Sequence, residues 1–193
     1  MTQIPLAYTT VMTVVAMIVS ASMGRLLSGL AKFVQHPGVL RIFWPHVGWA
    51  VSMLIFLLHF LWWEIHLRDL VDIDFLVFAF VTFYGCLLFF LCTLLFPDTL
   101  AEYNGYEDYF LSRRRVFFGL LAFAYVIDII DTALKGQSYF ASLGLEYPIR
   151  NAVYVTLCIA AIFVASRRFH LVFASIGLIY QISWIVRAYD TMQ

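Results

Sequence analysis

Residues 75–96 read FLVFAFVTFYGCLLFFLCTLLF, an unbroken apolar run without one charged side chain. This run, repeated in kind along the chain, limits the fold more than any other feature. A helix crosses the roughly 30 Å hydrocarbon core of a bilayer with about 20 residues at 1.5 Å each. On that ruler the sequence predicts six spans, over 4–23, 43–65, 75–96, 116–134, 149–166 and 169–188. The runs are continuously apolar and do not alternate, which favours helices over barrel strands. Composition agrees: 63% of the 193 residues are hydrophobic and 12% are charged, against about 25% charged in soluble domains. The expected fold is an all-α integral membrane protein, a six-helix bundle forming one domain over 1–193 with no soluble domain.

Turn and charge signals separate the spans: QHPG at 35–38, LRDLVDID at 67–74, the polar stretch 97–115, KGQSYFASLGLEYP at 135–148 and SRR at 166–168. The first apolar run has no preceding Lys or Arg, so no cleaved signal peptide is expected. Arg25, Lys32, Arg41, Arg113, Arg114, Arg115, Arg167 and Arg168 fall in the loops after spans one, three and five. Arg68, Lys135, Arg150 and Arg187 fall on the other side. Basic residues concentrate inside, which predicts both termini outside, in a bacterial inner membrane. Residues 25–41 suggest a short amphipathic surface helix, with Leu26, Leu27, Leu30 and Phe33 on one face. The consecutive Arg113, Arg114 and Arg115 lack the every-third spacing of a voltage sensor and fit membrane anchoring.

Twelve basic residues balance twelve acidic ones, so the lipid bilayer and not nucleic acid is the expected partner. A homo-oligomer is expected because small membrane pores are commonly built from several copies. Cys86, Cys92 and Cys158 each sit within an apolar run, with neither metal-ligand nor disulfide spacing.

Some groups do not belong in hydrocarbon. Asp128 and Asp131, in AFAYVIDIIDTALKG, are three apart and share a helix face with Tyr125. A carboxylate near the bilayer centre costs about 2.5–3.5 kcal/mol, and two close carboxylates invite a proton or cation between them. His59, in HFLWWEIHLRDL, falls at a depth close to that of Asp131. Arg187 and Gln181 fall in the outer half of span six, as Thr9, Thr13, Thr82, Asn151 and Tyr154 do in theirs. Glu64, His66, Asp72 and Asp74 are expected to be exposed at the outer interface.

The expected function is therefore a channel or transporter-like one, binding or passing a proton, cation or small polar solute through an outer-half site. Asp128 and Asp131 would bind charge, with Tyr125 and Gln181 beside them. His59 would exchange protons and Arg187 would be the counter-charge. The alternative is a membrane scaffold or assembly subunit in which the same groups tie helices together. Two further alternatives are weaker. A b-type haem could use His46 and His170, although no cofactor is expected, and a metal could use His59, Asp128 and Asp131. No HExxH, nucleophile elbow or phosphate loop is present, so enzymatic activity is not expected. The two halves show no convincing repeat of the kind many transporters carry.

Overall fold

The computed structural model describes residues 6–36, 41–70 and 73–190, and these fold almost entirely as helix, with no strand among them. The elements are α1 (Leu6–Gln35), α2 (Trp44–Trp63), a 3-10 turn (Glu64–Asp69), α3 (Phe75–Leu95), α4 (Tyr106–Leu134), α5 (Gln137–Ser142), α6 (Glu146–Phe163) and α7 (Arg167–Asp190). Five of them, α1, α2 with its 3-10 extension, α3, α4 and α7, are long and apolar enough to cross a membrane. The predicted fifth segment, 149–166, is a helix too, but Glu146, Arg150 and Asn151 in its first two turns lower the hydropathy of α6 below the others. The start of the first predicted span at residue 4, the Pro-Gly of QHPG and Asp72 lie outside the described residues.

Local chemistry sets several boundaries. Pro45 sits in the first turn of α2, where its missing N–H is no loss. Asp74 caps α3 by accepting from the Val77 amide at 2.9 Å. Gly105 and Gly136 precede α4 and α5 with φ of 103° and 118°, a region that suits a residue without Cβ.

Two expectations are corrected. Residues 25–41 do not form a separate surface helix: α1 runs unbroken through Arg25 to Gln35. One isolated Gly24 does not stop a helix, and Leu26, Leu30 and Phe33 pack into the core and not onto a membrane surface. The polar stretch 97–115 is also not all loop. Its second half belongs to α4, whose first turn is favoured by Glu107 and Asp108 at the positive end of the helix dipole.

The helices alternate in direction. The starts of α1, α3 and α6 lie at the same end as the finishes of α2, α4 and α7, as Leu6 and Phe78 bordering one groove and the Lys135–Glu64 and Arg187–Glu146 pairs establish. α3 packs between α1 and α4, α4 packs along α6, and α2 packs against α1 and α7. At one point α1 approaches very closely: a Cβ on Gly29 would lie 2.1 Å from the Phe96 ring. By contrast the backbones of α6 and α7, joined through 164–166, stand apart and meet through side chains, Tyr154 donating to the Gly177 carbonyl at 2.9 Å, beside an apolar cleft of about 370 Å³.

At the end holding 97–105, aromatic rings fill the bundle. His46 stacks on Tyr106 at 4.9 Å and His170 on Phe118 at 5.3 Å, and Phe110 sits edge-on to both imidazoles. Arg25 pairs with Asp98, and Arg167 with Glu107.

Candidate functional site

At the opposite end, a cavity of about 50 Å³ opens among α2, α4, α6 and α7. Asp128, Asp131, His59, Arg150 and Gln181 face it, and aromatic residues including Trp63, Tyr125, Tyr154 and Trp184 form much of the remaining wall. Tyr125 stacks on Tyr154 at 4.6 Å, closing the side toward the bundle centre. Gln181 reaches across to the Ser52 carbonyl at 3.3 Å, joining α7 to α2. Arg150, Tyr154 and Tyr180 are shared with the apolar cleft between α6 and α7, so the cavity and cleft adjoin.

The two aspartates share this cavity but have separate partners. Asp128 is fully engaged. One carboxylate oxygen accepts from the Tyr84 hydroxyl at 3.2 Å. The other accepts from Tyr147 at 2.8 Å, Asn151 at 2.9 Å and Arg150 at 3.3 Å. The Arg150 guanidinium also lies over the rings of Trp184 and Tyr147, at 4.7 and 5.0 Å, a favourable arrangement for a partly desolvated cation. Asp128 thereby ties α4 to α3 and α6.

Asp131 belongs to a second, drier group. Its carboxylate pairs with Lys135, one helical turn on, and the same ammonium donates to Glu64 at 2.8 Å. Lys135 and Glu64 side chains are 0% exposed and Asp131 2%. One carboxylate oxygen on each acid, Oε2 of Glu64 and Oδ1 of Asp131, is buried without a hydrogen-bond partner among the described residues. Just past the end of α4, Lys135 feels desolvation that favours its neutral form. The Asp131 and Glu64 carboxylates outweigh it and hold the ammonium above its ordinary range. α5 covers the group: Tyr139 packs on His66 at 4.5 Å and on Trp63 at 5.7 Å. Burial, reinforced by Asp131, Glu64 and Asp128, pushes the Tyr139 phenol up, so it stays protonated.

The structure thus brings Asp128, Asp131, His59, Tyr125 and Gln181 together around one cavity. Arg187 is not among them. It pairs with Glu146 at 2.7 Å on the exposed rim, because its position near the end of α7 carries it past the cavity. Arg150 and Lys135 supply the counter-charges instead. Glu64 is corrected in the other direction, being fully buried and not exposed at the interface. Distance along the helix placed it at the boundary, but α4 and α5 extend beside it. His66 is half-buried under Tyr139, whereas Asp74 is exposed as the α3 cap. Thr13 bonds its own helix at the Thr9 carbonyl, 2.7 Å away, and faces outward. Lys135 and Arg150 were legible in part, since Lys135 is four residues from Asp131 and Arg150 stands at the start of the predicted fifth span. Tyr84 and Tyr147 carried no such signal.

Among the described residues no three His, Cys, Asp or Glu side chains converge as metal ligands do, and this includes His59, Asp128 and Asp131. The imidazoles considered for haem each donate Nε2–H to a main-chain carbonyl, His46 to Leu95 at 2.5 Å and His170 to Val164 at 2.8 Å. Axial ligation through Nε2 would break those bonds, and Phe110 lies against both rings.

Comparison of the chain with protein-family models, with curated proteins and with solved structures gave no match. The class that the fold defines is an all-helical chain with five apolar helices of membrane-crossing length.

Proposed function

We propose that this chain is a six-span membrane protein that binds, and passes, a proton or small cation through the polar site at its outer end. One observation carries this reading: a cavity of about 50 Å³ bordered by Asp128, Asp131, His59 and Arg150. Its volume selects the solute. A water needs about 10–15 Å³ of such space, whereas organic ligands fill pockets of about 300–1,000 Å³. A space of this size suits water, a proton on water or a small cation. Charge selects further, since Asp128, Asp131 and Glu64 face two fixed cations, Arg150 and Lys135, leaving one negative charge to be balanced.

Six crossings accord with α6, 18 residues long, measuring about 27 Å at 1.5 Å per residue, with Arg150 turned into the bundle toward Asp128. Orientation gains support from the same burial. Lys135 and Arg150 are withdrawn into internal ion pairs, with side chains 0% and 14% exposed. They count little as surface charge on the outer side, so the basic excess at the other face grows, which supports a reading with both termini outside. Cysteines introduced at the exposed positions Ser142 and Glu102 should then react with an impermeant maleimide from opposite faces of the membrane. Labelling of Glu102→Cys from outside, or of Ser142→Cys only from inside, would overturn this orientation.

The site reading is tested by proton and monovalent-cation flux in proteoliposomes, comparing the unmodified protein with a folded Asp128→Asn, Asp131→Asn variant. Flux in the first, lost in the second, is the expected result. Flux no greater than in empty liposomes removes the passage reading. A scaffold role would then lead, and one observation favours it: Asp128 accepts four hydrogen bonds from side chains on α3 and α6, as a helix-pinning group would.

A further inference from the structure

Glu64, Lys135 and Asp131 form a closed group that the reading above does not use as a unit. Two carboxylates share one ammonium, and none of the three side chains is more than 2% exposed. Lys135 can neutralise one of the acids. A second full negative charge in so dry a place is costly without a counter-ion. Glu64 Oε2 and Asp131 Oδ1 have no partner among the described residues, although both are buried. Both acids bond the same Lys135 ammonium, Glu64 at 2.8 Å, which brings the two carboxyl groups close to one another.

We infer that Glu64 and Asp131 hold one exchangeable proton between them beside Lys135, a built-in proton store that loads through the cavity. A shared proton turns one acid into a donor, supplies the missing partner and makes the group electrically neutral. Asp131 has a place in both environments: it binds Lys135 and it borders the cavity. Loading transfers a proton from water in the cavity to a carboxylate oxygen of Asp131, forming an O–H bond there and leaving the oxygen that gave it up with its electron pair. Discharge is the reverse. The surrounding groups bear on where the proton rests. They are His59 and His66 on the α2 side, Tyr84 on α3, Asp128 and Lys135 on α4, Tyr139 on α5, and Tyr147 and Arg150 on α6. Arg150 is already committed to Asp128 at 3.3 Å, so it is not the counter-ion for the second charge. The inference names the species for the proposed site, but the proton store does not depend on transmembrane passage.

Infrared spectroscopy of the full-length protein in lipid nanodiscs at neutral pH reads this directly, because the C=O stretch of a protonated carboxylic acid is separate from the carboxylate bands. The unmodified protein should show such a band, shifted in D2O. Glu64→Gln and Asp131→Asn should each abolish it, since one remaining carboxylate is balanced by Lys135. Asp128→Asn should retain it. Absence of the band in the unmodified protein overturns the inference without reference to any variant. So does a band that survives both Glu64→Gln and Asp131→Asn. A band without flux keeps the store and removes passage; flux without a band does the opposite.

Discussion

Replacing Lys135 with Met should destabilise this protein strongly, and by an amount that depends on pH. The Lys135 ammonium is 0% exposed and bonds two carboxylates, Glu64 at 2.8 Å and Asp131. Methionine fills a similar volume and removes only the charge. Both acids must then be neutral, one more than in the unmodified protein. Holding an ordinary carboxyl, which titrates near 4, protonated at pH 7 costs about 4 kcal/mol at 1.36 kcal/mol per pH unit. That figure falls within the roughly 3–5 kcal/mol seen when one partner of a buried ion pair is removed. The sign is fixed by proton counting. The folded variant binds two more protons than its unfolded chain would at neutral pH, against one in the unmodified protein, so its deficit grows as pH rises and shrinks as pH falls. Between pH 7 and pH 5 it should recover about 2.7 kcal/mol relative to the unmodified protein. Reversible unfolding by SDS in mixed micelles, followed by far-ultraviolet circular dichroism at both pH values, measures this. Adding Glu64→Gln to Lys135→Met should restore most of the loss, as one acid then needs no proton. A deficit below about 1 kcal/mol, or one equal at both pH values, would refute the assignment of charge to this group.

Two more outcomes follow from the packing. Gly29→Ala places a methyl group 2.1 Å from the Phe96 ring. It should cost about 1–3 kcal/mol by overpacking, and Phe96→Leu should relieve part of that loss in the same unfolding assay. Arg187→Gln removes the exposed ion pair to Glu146 and should change stability by less than about 1 kcal/mol. It should leave proton flux intact, whereas a loss of flux would return Arg187 to the site.

The helices were largely legible in the sequence, because a lipid-crossing helix is declared by the length of its apolar run and by little else. Residues 75–96 correspond to α3 almost to the residue. The weaker readings came where a helix continues past its apolar run. There the apolar pattern ends but the hydrogen-bonded backbone does not, as at Arg25 in α1 and Glu107 in α4. For the candidate site, Asp128, Asp131 and His59 were identifiable as groups that lipid cannot solvate. Their partners were not. Depth along a helix can be counted from sequence, but the direction of a side chain around the bundle and the element that covers it cannot.

Glu64 shows the division most plainly. By sequence alone it is an acid at the end of a membrane helix, and water is its expected solvent. Only the tertiary arrangement, with the end of α4 presenting Lys135 and α5 laying Tyr139 beside it, makes it a buried partner of Asp131. What the sequence by itself determined was therefore the helical, apolar character of the long segments and the presence of charges that must be compensated, with six crossings expected where five helices are long and apolar enough. These depend on local composition and spacing. Which charge compensates which depends on contacts between residues far apart in the chain, such as the 71 positions separating Glu64 from Lys135, and only helix packing decides those.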